Sequence, residues 1–197
     1  VKDWDWGNSG SDKIYHDPQT RSQGLSFRSN LARLMETLIA EYKIDTAKNV
    51  IDIDITNMPV KDFYFYAFVE LFVAGYYKVG ETEKARELYS KLKKIYQEHL
   101  EYYSSIPLDE QYEKIDDILS DMQAYRRNID ILIDNKDREF AESETVIFNE
   151  YIDKFSQFVD DGEEELLEEP LPSDPDMKDS IPLDTIEQVT DSAVPQQ

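Results

Sequence analysis

Cysteine is absent from the 197 residues, which excludes disulfides, thiolate nucleophiles and cysteine-bound zinc. Histidine is scarce: His16 and His99 stand far apart in different elements, and both read as surface residues. A zinc site or an acid–base pair would need partners converging from elsewhere in the fold. Positive charge is short as well. With 21 Lys and Arg against 43 Asp and Glu, the net charge of −22 argues against nucleic acid and against an anionic membrane surface. No apolar run reaches the ~18 residues that suggest a membrane-spanning helix, so direct membrane insertion by this segment is not expected. Gly numbers only six, and the periodic runs are correspondingly long and uninterrupted.

What is present is apolar and aromatic: 40% hydrophobic residues, with 13 Tyr and 9 Phe, enough for one real core. The periodicity predicts an all-α fold of about six helices. Residues 1–24, with Trp4 and Trp6, read as an irregular leader, residues 25–160 as a helical-repeat domain, and residues 161–197 as an acidic, Pro-containing tail. Ser26 is the expected N-cap of a first helix ending near Lys43, whose stripe is Leu31, Leu34, Met35, Leu38, Ile39 and Tyr42. Further helices are predicted over about Asp45–Met58, Val60–Val79, Thr82–Tyr103, Leu108–Asp134 and Arg138–Val159. The third is apolar almost all round, and Phe63, Phe65, Tyr66 and Phe68 are its expected core. From Asp160 onward 13 acidic residues face one Lys, a net −12, among five Pro residues. Such composition predicts a disordered or extended arm.

Two segments repeat. Aligning "IDTAKNVIDID" with "TEKARELYSKL" pairs Ala47 with Ala85, Ile51 with Tyr89 and Leu31 with Val69. The Ala-to-Ala spacing of 38 resembles the roughly 34-residue tetratricopeptide repeat with a short insertion. Gly80 supplies the turn of the second unit; its counterpart Tyr42 departs from the pattern. The fifth and sixth helices read as a longer hairpin lacking the signature, a polar-faced cap. In such repeats the first helices line a groove, here offering Ser29, Glu36, Glu70, Tyr77 and Lys78. Two glutamates there would disfavour an acidic peptide and tolerate a basic or neutral one.

A wider resemblance spans nearly all of residues 1–160. "WDWGN", "FRSNLARLMETLIAE", "DTAKNVIDI", "MPVKDFYFYAFVELFVAGYYKVGETEKA" and "EHLEYY", in this order, resemble the C-terminal soluble region of the DUF2723 family. That family comprises bacterial membrane proteins whose N-terminal part resembles protein O-mannosyltransferases and transmembrane protein 260. The resemblance implies that this chain is a piece of a longer protein, lying on the extracytoplasmic (periplasmic) side of a bacterial inner membrane. It also implies that catalysis belongs to the membrane-embedded half, so no catalytic residue and no cofactor is expected here.

The remaining motifs are weak. Asp3–Asp5, Asp52–Asp54 and Asp174–Asp176 form D-x-D strings of a kind that binds metal–nucleotide sugars in some glycosyltransferases. They are expected by chance in so acidic a chain, and on a helix i and i+2 point to different faces. In the tail, Ser180, Thr185 and Ser192 each follow Asp and precede a small or aliphatic residue. This is similar to the acceptor signal of general O-glycosylation in Bacteroidetes, and O-glycans are expected on these three. The functional expectation is a non-catalytic interaction or accessory module whose partner is the membrane-embedded half of its parent or a protein or peptide ligand. A free-standing scaffold for protein partners is the alternative, and an enzyme ranks third.

Overall fold

The computed structural model describes residues 5–11, 13–63 and 66–159, and it is all-helical, with no strand among them. These belong to one compact unit, Val1–Val159; the second unit, Asp160–Gln197, lies outside the described residues. The long helices are α1 (Pro18–Ala40), α2 (Ile44–Asn57), α4 (Tyr66–Lys78), α5 (Thr82–Ser105), α7 (Ile115–Asp134) and α8 (Arg138–Lys154). Short helices α3 (Val60–Phe63), α6 (Leu108–Glu113) and α9 (Ser156–Val159) complete the set.

The first helix begins eight residues before the expected N-cap Ser26. Asp17 is the cap, its Oδ1 accepting from the Gln19 and Thr20 amides at 2.9 and 3.0 Å, and Pro18 occupies the first turn. Gly24 lies inside this helix because Phe63 packs on it: a Cβ there would meet the Phe63 ring at 2.5 Å. The leader is also anchored. His16 is buried, within hydrogen-bond distance (2.9 Å) of the Ser9 carbonyl and tilted over Phe63, which corrects its reading as a surface histidine. Ser9 Oγ in turn donates to the Asn57 carbonyl at the end of α2.

The predicted helix Leu108–Asp134 divides at Lys114, where Asp116 and Asp117 open the first turn of α7, a favourable place for negative charge. The sixth divides at the buried Phe155. The predicted Val60–Val79 helix is described as α3 and α4 on either side of residues 64–65, which lie outside the described residues. Its core differs from expectation. Phe63, Val69, Phe72, Val73 and Tyr76 are buried, whereas Tyr66 and Phe68 are only half-buried. Of the expected first stripe, Leu34 in α1 and Tyr42 beyond its end are exposed, while Arg28 and Ala32 of α1 are buried.

Three hairpins, α1–α2, α4–α5 and α7–α8, close with the same turn. Tyr42, Gly80 and Lys136 hold φ of +60°, +82° and +64°. At each, the turn residue's amide donates to the carbonyl three residues back, and the next amide donates to the carbonyl five back (Lys43 to Leu38, Glu81 to Tyr76, Asp137 to Leu132). This is the Schellman arrangement that satisfies the last carbonyls of a helix. Five residues beyond each turn residue stands a buried alanine, Ala47, Ala85 or Ala141. The third hairpin therefore shares the turn and alanine of the other two, contrary to its reading as a hairpin without the signature. The hairpins stack in order: α4 packs on α1 and α2, and α7 on α4 and α5.

A left-handed backbone costs a non-glycine residue about 1–2 kcal/mol. Tyr42→Gly and Lys136→Gly are each expected to raise stability, by up to about 1 kcal/mol after glycine's larger entropy loss. Denaturant melts check this, and a lowered midpoint for both variants would contradict the assigned turns.

Candidate functional site

Counting from the turn residues puts the three hairpins in one register. Thirteen residues before the turn stand Ser29, Ala67 and Gln123; nine before, Arg33, Leu71 and Arg127; six before, Glu36, Ala74 and Asp130. Since α1 packs on α4 and α4 on α7, these rows run across the first helices of successive hairpins. On α4, Ala67, Leu71 and Ala74 follow the i, i+4, i+7 spacing of one helix face, and all three are half-buried. An uncharged strip thus lies between Arg33 and Glu36 on one side and Arg127 and Asp130 on the other.

Of the sequence-predicted groove residues, Ser29 is half-buried, and Glu36 and Lys78 are exposed. Glu70 does not line a groove; at 2% exposure it is a core residue. Its carboxylate accepts from Tyr96 Oη (3.2 Å), Asn128 Nδ2 (3.3 Å) and Arg127 Nε (3.4 Å), joining α4 to α5 and α7. Burial pushes its pKa upward, and the Arg127 guanidinium pulls against that shift. Tyr77 is half-buried and its hydroxyl donates to Asp137 Oδ2 at 2.7 Å. Glu70 therefore does not act on a ligand as the expected surface charge, because it is internal and countered by Arg127.

The hairpins are tied by polar contacts at repeated positions. Six residues after the turn, Lys48 donates to Glu81 and Arg86 donates in bidentate fashion to Asp137 (2.7 and 2.8 Å). Glu81 and Asp137 are the capping residues of the next hairpin's second helix. Arg86 holds the Asp137 carboxyl below its usual range. Asp52 accepts from Tyr76 Oη (2.7 Å) and Lys84 Nζ (2.6 Å) across the first junction. Glu144 receives Lys93 Nζ (2.9 Å) and Tyr89 Oη (3.2 Å) across the second.

Asp52 and Asp54 diverge, as their helical spacing requires. Asp54 is wholly buried with Arg28, whose Nε donates to Oδ2 at 3.0 Å. His99 Nδ1 lies 2.9 Å from Asp121 Oδ2, a half-exposed pair. Among the described residues no three His, Asp or Glu side chains converge as a metal site. Asp3, Asp174, Asp176 and the candidate O-glycosylation sites Ser180, Thr185 and Ser192 lie outside the described residues.

Sequence reasoning missed Arg33, Leu71, Ala74 and the Asp137 junction. The available signal was an acidic residue two before each packed alanine, in "IDTA", "TEKA" and "REFA". Compared with known proteins, the chain matches no family model, no curated protein and no solved structure.

Proposed function

We propose that this chain is a non-catalytic interaction module of tetratricopeptide-like hairpins that binds a segment of another protein across the first helices α1, α4 and α7. The observation that carries the reading is the common register, which places the uncharged Ala67–Leu71–Ala74 strip between Arg33 and Arg127. Small and apolar floor residues admit a partner backbone closely, and the exposed Arg33 guanidinium at one edge supplies oriented donors, while Arg127 at the other is held by Glu70. On the sequence resemblance, the module belongs to a longer membrane protein related to O-mannosyltransferases and works on the extracytoplasmic side. A free-standing scaffold is the alternative, separated by whether membrane spans precede this segment in the natural reading frame.

Selection from a displayed random-peptide library tests the face. Peptides enriched on the wild-type chain are expected to lose at least about tenfold in affinity, about 1.4 kcal/mol, on Leu71→Asp, with little change in melting temperature. No enrichment, or equal binding to the variant, would refute the assignment.

A further inference from the structure

We propose that copies of this chain associate head to tail, the first hairpin of one copy stacking on the last hairpin of the next, with Lys43 paired to Glu142. The inference is independent of the peptide-binding face and rests on what the two internal junctions do at matching positions.

At both internal junctions a base six residues after one turn meets the acid immediately after the next turn: Lys48 with Glu81, and Arg86 with Asp137. The same two positions recur at the ends of the stack with both signs reversed. The residue after the first turn is Lys43, and the residue six after the last turn is Glu142; both are exposed. Neither end accepts a hairpin of the internal pattern without like charges meeting, yet the two ends fit each other.

The surrounding positions agree. Eleven residues before its turn, Tyr125 of α7 receives Gln97 Nε2 at 3.1 Å and stacks on Tyr96, both on α5. Eight before, Asn128 donates to Glu70 on α4. These positions thus face the preceding hairpin, and their α4 equivalents Val69 and Phe72 are fully buried. In α1 the equivalents are Leu31, half-buried, and Leu34, 39% exposed.

At the other end, the position three before the turn faces the following hairpin, as Tyr77 does through Asp137. In the first hairpin the position ten after it does likewise, as Asp52 shows with Tyr76 and Lys84, while its middle-hairpin equivalent, Ser90, is exposed. In the last hairpin these are Ile133 and Val146, 50% and 65% exposed. Each end therefore offers large aliphatic side chains beside one half of an ion pair. The pair of Lys43 with Glu41, 2.7 Å apart, is solvent-exposed and contributes little to hold the lysine back.

Sedimentation velocity of the full chain over a concentration series, at about 0.15 M salt to screen its long-range self-repulsion, tests the proposal. A head-to-tail contact that does not close into a ring leaves a free end on every assembly, so the mean mass should rise with concentration without stopping at a dimer. Lys43→Glu and Glu142→Lys, both at exposed positions, should each weaken association at least about tenfold, with unchanged melting curves. An equimolar mixture of the two variants should restore it, since every junction between unlike copies again joins opposite charges. A wild-type chain that stays monomeric throughout, a closed dimer, or association unaffected by either substitution would overturn the proposal.

Discussion

Arg28→Met is expected to lower stability by about 3–5 kcal/mol, because it strands the Asp54 carboxylate in the core without its cation. Arg28 and Asp54 are 1% and 0% exposed, and the guanidinium also donates from Nη2 to the Met58 carbonyl just past α2. Replacing both partners by apolar residues, as in Arg28→Met with Asp54→Leu, should recover most of the loss, since desolvation offsets much of a buried pair's attraction. The deficit of the single variant should depend on pH. Burial pushes Asp54 up to about 6 even with Arg28 drawing it down. A folded value above the unfolded one of about 3.9 means that the native state holds the proton more tightly. The group's contribution is then present below about pH 4 and is lost as pH rises through about 6. Removing Arg28 raises the carboxyl further, so the variant's deficit should be smaller near pH 5 than near pH 7. Urea denaturation at both values measures it; a deficit under about 1 kcal/mol, or one flat with pH, would show the pair misassigned.

Phe72→Ala is expected to cost about 3–5 kcal/mol, and Phe68→Ala clearly less. Phe72 is fully buried in α4, eight residues before Gly80, at the position that faces the preceding hairpin. Phe68 is half-buried and leaves less of a cavity when truncated. Paired thermal and denaturant melts decide the order. An equal or reversed pair of losses would mean that the register of α4 is wrong by a residue, since such a rotation exchanges covered and open positions.

Much of the helical layout was legible. Pro59, Gly80 and Pro107 mark the ends of α2, α4 and α5 to within a few residues, because each breaks a helix for a local reason. The start of α1 was equally local in Asp17–Pro18, but Gly24 drew the boundary inward, and only Phe63 lying against that glycine explains its place in a helix. The third hairpin was legible as a hairpin, but its likeness to the other two was not, because Lys136 does the work of Gly80 with no side-chain cue to a left-handed turn. Phe68 was misplaced because α4 is apolar nearly all round, so periodicity could not say which side is covered. Glu70 was misread for a different reason. Its partners Tyr96 and Asn128 stand 26 and 58 residues away, and only the packing of α5 and α7 on α4 turns an acidic residue into a core residue. The candidate face inherits that difficulty: its rows appear only after the turns fix a common count.

The charges at the junctions also determine how such a chain could lengthen. The middle hairpin begins its second helix after an acid, Glu81, and carries a base, Arg86, six residues after its turn. A duplicated copy inserted beside it would find every pairing satisfied, Arg86 of one unit reaching Glu81 of the next. The first hairpin, opening with Lys43, could not follow a copy of itself or of the middle unit without base meeting base. The third, carrying Glu142, could not precede a copy of itself or of the middle unit without acid meeting acid. Tandem duplication would therefore be tolerated at one place in the sequence, between the turn at Tyr42 and the turn at Lys136, with the terminal units kept as fixed ends.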